Sequence, residues 1–131
     1  MASPMLAVQA AIVSLLRSGV SGFGGRVYDR APQSVAFPFV EVGNMEQIED
    51  SGTEYDGCEV VAFVEIYSRG IGKVEAHTLS EAARLLLHSQ PLALSGARHV
   101  GTMCRSINIT DEGDGLTTRA RMDIRVLIDA T

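Results

Sequence analysis

Between Arg119 and Asp129 apolar and polar residues alternate. Ala120, Met122, Ile124, Val126 and Ile128 fall on one side, and Arg119, Arg121, Asp123, Arg125 and Asp129 on the other. Successive side chains of a strand point to opposite faces, so this period of two predicts an antiparallel strand with one buried and one exposed face. A second extended run is predicted from Gly57 to about Tyr67. Cys58, Val60, Ala62, Val64 and Ile66 share one face there, and Glu59, Val61, Phe63, Glu65 and Tyr67 the other. The second set is only half polar, which predicts partial cover on that face as well.

Elsewhere the period lengthens. Met5, Val8, Ile12, Leu15 and Leu16 recur at helical spacing and predict a helix over 3–18, with Ser3 as N-cap, Pro4 in the first turn and Gly19 as a left-handed stop. Ala76, Leu79, Ala82, Ala83, Leu86 and Leu87 predict a second helix over 71–89, closed by Pro91, with Lys73, Glu81 and Arg84 towards water. Ser21-Gly22-Phe23-Gly24-Gly25 reads as a flexible connection to a short strand, Arg26 to Asp29. After a Pro-containing loop, a strand opens at Phe37-Pro38 and runs to about Ile48. A further strand, Arg98 to Ile109, and the turn Asp111 to Gly115 precede the final strand.

This order predicts an α+β fold: a mostly antiparallel sheet with two helices packed on one face. Both arms of the first hairpin exceed the roughly 5–6 residues usual for a strand, so it is expected to project beyond the body at its polar far end, 49–56. No linker or internal repeat divides residues 1–131, which read as one domain.

Composition narrows the function classes. Apolar residues make up 46% and aromatics 5%, with no Trp, so the core rests on Val, Ile, Leu, Ala and Met. Eleven basic residues against sixteen acidic give a formal charge of −5. Binding DNA without regard to sequence requires Lys and Arg to neutralise phosphates, so direct nucleic-acid binding is not expected. Met-Ala-Ser-Pro lacks the basic start of a signal peptide, and the apolar stretch Met5 to Leu16 is too short to span a bilayer. The chain therefore reads as cytosolic, with no membrane partner. In that compartment Cys58 and Cys104 read as buried thiols, although one disulfide is arithmetically possible.

Candidate chemistry is sparse. Gly22 to Gly25 invites a phosphate loop, but such a loop follows a strand and opens a helix, and the predicted order here is the reverse. Asp111 to Gly115 lacks the closing glutamate of a calcium loop, and Asp-Gly marks a tight turn in its own right. His77 and His88 lie about 16 Å apart along one helix, too far to share a metal, and His99 stands alone. Ser80 lies three residues from His77 without a nucleophile elbow around it. Glu59 and Glu65 are better explained by cross-strand pairing with Arg119, Arg121 or Arg125 than as a hydrolytic pair. No catalytic, cofactor or metal site is expected.

One set of segments is more specific. Val27-Tyr28-Asp29-Arg30-Ala31-Pro32, then Phe37-Pro38-Phe39-Val40-Glu41-Val42-Gly43, resembles the opening of the tail terminators, or tail completion proteins, of long-tailed phages and gene transfer agents. Ile66-Tyr67-Ser68-Arg69, then Gly72, Glu75 and Ala76, the Asp114-Gly115 turn and the alternating last strand continue the resemblance over about residues 5–128. The resemblance implies helices on a sheet and a structural role. Subunits would form a ring, usually a hexamer, at the head-proximal end of the tail tube, meeting the tube protein below and a head-side connector above. DNA would pass through without specific binding. The protein would assemble in the bacterial cytoplasm and end in the neck of the particle.

Two other readings stand beside it. One is another neck or connector component. The other is a small dimeric ligand-binding protein or enzyme using the half-covered sheet face near Phe63 and Tyr67, which a buried pocket with convergent polar groups would favour. Within 49–56, Glu49, Asp50, Glu54 and Asp56 carry four like charges with no basic residue among them. Burying them unpaired would cost several kcal/mol apiece, so they are expected to form an exposed assembly or channel-lining loop, the competing reading being an idle solvated turn.

Overall fold

In a computed structural model, which describes residues 3–49 and 57–129, helix α1 spans Pro4–Gly19 and helix α2 spans Val74–Leu87. The Ser3 side chain accepts the Leu6 N–H at 3.3 Å and Pro4 sits in the first turn, as predicted. Gly19, however, is not a left-handed stop. The helix ends through an extended Val20, and a Cβ on Gly19 would stand 2.5 Å from Leu86 Cδ1. Glycine here serves the close approach of α1 to α2. Nor is the next segment a loose link. Ser21–Phe23 forms a 3-10 turn, Gly24 and Gly25 take left-handed φ values of +57° and +79°, and the Phe23 ring is fully buried, anchoring the turn in the core.

The strands are β1 (Val27–Tyr28), β2 (Phe39–Glu41), β3 (Met45–Glu49), β4 (Gly57–Ser68), β5 (Arg98–Asp111) and β6 (Thr118–Asp129). They form one sheet in the order β1-β2-β4-β6-β5, with β3 also paired to β4, and every pairing is antiparallel except β1 with β2. Because β6 pairs along the whole of β4, β2 and β3 share its other side. The strand expected from Phe37 to Ile48 is thus two strands. The chain turns at Val42-Gly43-Asn44, where the Val42 N–H donates to the Tyr28 carbonyl at 2.7 Å and the Asn44 carbonyl accepts from the Phe63 N–H at 3.0 Å. The tip of that first hairpin, 50–56, lies outside the described residues. The longer hairpin is β5–β6.

Both helices pack on one face of the sheet. Val60, Ala62, Val64, Ile66, Ala120, Met122, Ile124 and Val126 are completely buried there, against Val8, Ile12 and Leu16 of α1 and Ala76, Leu79, Ala83 and Leu87 of α2. Each large aliphatic side chain so buried contributes roughly 1.5–3 kcal/mol. Helix α2 is shorter than the expected 71–89 because Gly72 and Ser89 both take left-handed φ values, +70° and +59°. No described helix is long and apolar enough to cross a membrane.

Candidate functional site

The face without helices is closed by its own side chains. Arg125 reaches two carboxylates, Asp123 through Nε at 2.9 Å and Nη2 at 3.2 Å, and Glu59 through Nη1 at 2.8 Å. Arg119 Nη1 lies 3.3 Å from Glu65 Oε2, Arg119 Nε lies 3.2 Å from Glu112 Oε1, and Asn44 Nδ2 donates to Glu65 Oε1 at 3.3 Å. This is the cross-strand pairing the sequence suggests for Glu59 and Glu65. Arg121 differs: its guanidinium lies 4.0 Å above the Phe63 ring. Under this layer Val61 and Glu65 are buried, although no helix covers them. Asp123 and Glu59 hold the Arg125 guanidinium still more firmly protonated than usual, and burial, then Glu65 and Glu41, push the Tyr67 phenol up. Carboxylates matched to guanidinium groups in this way brace the sheet.

At one end of the sheet the Asp114 carboxylate builds the β5–β6 turn. It accepts the Leu116 and Thr117 N–H groups at 2.9 and 2.8 Å and the Thr117 hydroxyl at 2.7 Å, with Arg69 at 3.5 Å. Those bonds, the Leu116 one foremost, hold its pKa down to about 2. A hollow of about 450 Å³ beside it is lined by Arg69, Gly72, Lys73, Asp111 and Thr117, with Ile71 and Leu116 exposed nearby. Lys73 and Asp111 already pair at 2.7 Å.

The histidines and cysteines are dispersed. His77 is exposed, and the Ser80 hydroxyl donates to the His77 backbone carbonyl at 3.2 Å, not to its ring. His88 Nδ1 accepts the Cys104 N–H at 3.0 Å, and His99 Nε2 lies 2.6 Å from Thr102 Oγ1. Cys58 and Cys104 are free thiols whose pKa values burial raises. Among the described residues no group of three His, Cys, Asp or Glu side chains could hold a metal.

Of the acidic loop candidates, Glu49 ends β3 and is exposed, whereas Asp50, Glu54 and Asp56 lie outside the described residues. The sequence reading missed the sheet's two edges. On the β5 side a hollow of about 320 Å³ is lined by Gly101, Met103, Arg105, Arg125, Glu59 and Leu127. Val100, Met103 and Leu127 are exposed around it, as is Ile48 on β3. Leu127 is the one detectable signal: it is apolar on the charged side of β6. Val100 and Met103 escape a period-two reading because β5 carries register shifts between His99 and Gly101 and between Cys104 and Ser106.

This architecture is shared with a chain from a structure described as the virion of a native gene transfer agent particle. The TM-score is 0.87 at 20% identity, covering 98% of this chain and 99% of that one. A second solved chain, 12% identical, matches at a TM-score of 0.53 over 96% of this chain and 92% of its own. No curated protein sequence matches. The family model described as Tail completion protein gp17 matches residues 6–129. The chain belongs to that family. It is a structural component of a phage-like tail, not an enzyme.

The segments that resemble other tail completion proteins form two fold-building contacts. In the first, the Arg26 and Tyr28 carbonyls accept from the Val40 and Val42 N–H groups at 2.9 and 2.7 Å, and Glu41 Oε2 accepts the Ala31 N–H at 2.7 Å. In the second, the Ser68 hydroxyl donates to Glu75 at 2.6 Å, while Arg69 donates to Thr117 Oγ1 at 3.0 Å and lies 4.2 Å over the Phe37 ring. In this tail completion protein those residues lie where the sheet is tied to its loops.

Proposed function

We propose that this protein is the ring that ends the tail: subunits, six in number, close on the head-proximal end of the tail tube, stop its polymerisation and present a surface to the head-side connector. The observation that carries this reading is membership of the tail completion family across residues 6–129. The likeness of the whole chain to one in a gene transfer agent virion is consistent with it. A closed ring repeats one heterologous contact around an axis, and this small domain offers two unlike sheet edges for such a contact. DNA crosses the ring without specific binding. The net charge of −5 disfavours adhesion of phosphates, and the three β6 arginines of the helix-free face, Arg119, Arg121 and Arg125, are occupied by carboxylates or an aromatic ring. Assembly takes place in the bacterial cytoplasm, and the finished ring lies in the neck.

Particles made without the protein, and particles carrying a labelled copy, test the proposal by electron microscopy. Tubes of uncontrolled length without heads, and a ring of label at the neck, are the expected results. A single labelled copy per particle, or label at the tail tip, would overturn it.

A further inference from the structure

We infer that the contact between neighbouring copies joins the acidic β3 edge of one subunit to the basic, apolar β5 edge of the next; this rests on the ring reading and specifies its interface. The two edges have opposite character. On β3, Glu46, Ile48 and Glu49 are exposed, and neither glutamate has an ion-pair partner among the described residues. On β5, Arg105 is exposed and likewise lacks an ion-pair partner there, and Val100 and Met103 are each 55% exposed beside the Gly101 hollow. The unmatched charges thus have opposite signs, and exposed apolar side chains accompany them on both edges.

The two edges also stand at one level along the strands. Glu46 lies opposite Val61, Val61 opposite Arg125, and Arg125 opposite Met103. Glu49 leads in the same way through Cys58 and Ile128 to His99. A rotation about an axis roughly parallel to the strands therefore brings β3 of one copy beside β5 of the next without a step along the axis. That is the condition for a closed ring instead of a helical filament.

Main-chain pairing is blocked at this level, because the Thr102 carbonyl already accepts the Ser89 N–H at 2.8 Å and the Cys104 N–H is held by His88. The joint is therefore made by side chains: Ile48 against Val100 and Met103, with Glu46, level with Met103, facing Arg105.

Particles assembled on full-length variants test this. Arg105→Glu should reduce incorporation into particles about tenfold, since it sets like charges against each other. The combined change Arg105→Glu with Glu46→Arg should restore it. In a Cys104→Ser background, Glu46→Cys with Arg105→Cys should give an oxidation-dependent ladder of linked subunits, and neither cysteine alone should. Unchanged melting of Arg105→Glu checks that the variant folds. If rings are visible in particles while Arg105→Glu incorporates normally and the double cysteine gives no ladder, the interface is elsewhere and only this inference falls. If wild-type particles contain no ring, both readings fall.

Discussion

Gly43 backs onto Asp29: a Cβ at residue 43 would stand 2.6 Å from the Asp29 carbonyl oxygen. The obstacle is main chain, and the adjoining Val42 N–H bond to Tyr28 fixes the spacing of the two segments. Gly43→Ala must therefore push β1 away from β2, at an expected cost of about 1–3 kcal/mol. Thermal melting should show a fall of roughly 4–12 °C. A melting temperature within a degree of wild type would refute the steric account.

Arg125 braces the helix-free face by gripping Asp123 and Glu59 together. Arg125→Met should destabilise the protein by about 1–2 kcal/mol in urea unfolding, because two partly buried carboxylates lose a charged donor. A double-mutant cycle with Glu59→Gln should give a coupling of about 0.5–1 kcal/mol. Zero coupling would mean that the pair observed at 2.8 Å contributes nothing.

Asp114 should shape the acid limb of the stability curve. Its folded pKa of about 2 lies below the ordinary aspartate value near 4, so the unfolded chain takes up a proton more readily. The stabilisation is fully present above about pH 4 and is lost as the pH falls towards 2. Asp114→Ala should lower the melting temperature at pH 6 and flatten its dependence on pH between 2 and 4. Parallel curves for the variant and wild type would contradict this.

The acidic loop is proposed as an assembly element. Changing Glu49, Asp50, Glu54 and Asp56 together to Lys should leave melting nearly unchanged, since exposed charges typically contribute less than about 1 kcal/mol each. Particle completion or DNA passage should fail. A normal yield of infectious or DNA-transferring particles would show the loop to be an idle turn.

No metal is expected to support the fold. Dialysis against a chelator should leave the melting temperature unchanged. A drop reversed by one specific ion would reveal a site that the dispersed histidines and carboxylates do not suggest.

The alternation of β6 and the helical stripes of α1 and α2 determined, from sequence alone, which elements form and which face each one buries. Period reports orientation about an element's own axis, and burial enforces it at every residue. The charge and the absence of a catalytic pattern pointed to a structural role, and the dispersed segments from Val27 to the last strand pointed to the family. Contacts between distant residues decided the rest. Gly19 yields to Leu86 and Gly43 to Asp29, and Phe23 turns a glycine-rich stretch into a fixed turn by entering the core. Two register shifts in β5 move Val100, Met103 and Arg105 out of simple alternation. Which edges of the sheet stay open, and that Glu46 stands level with Met103 across three strand pairings, depends on the order of the strands in space. A local pattern carries no record of that order, because side-chain period fixes the face of a strand and not its neighbour.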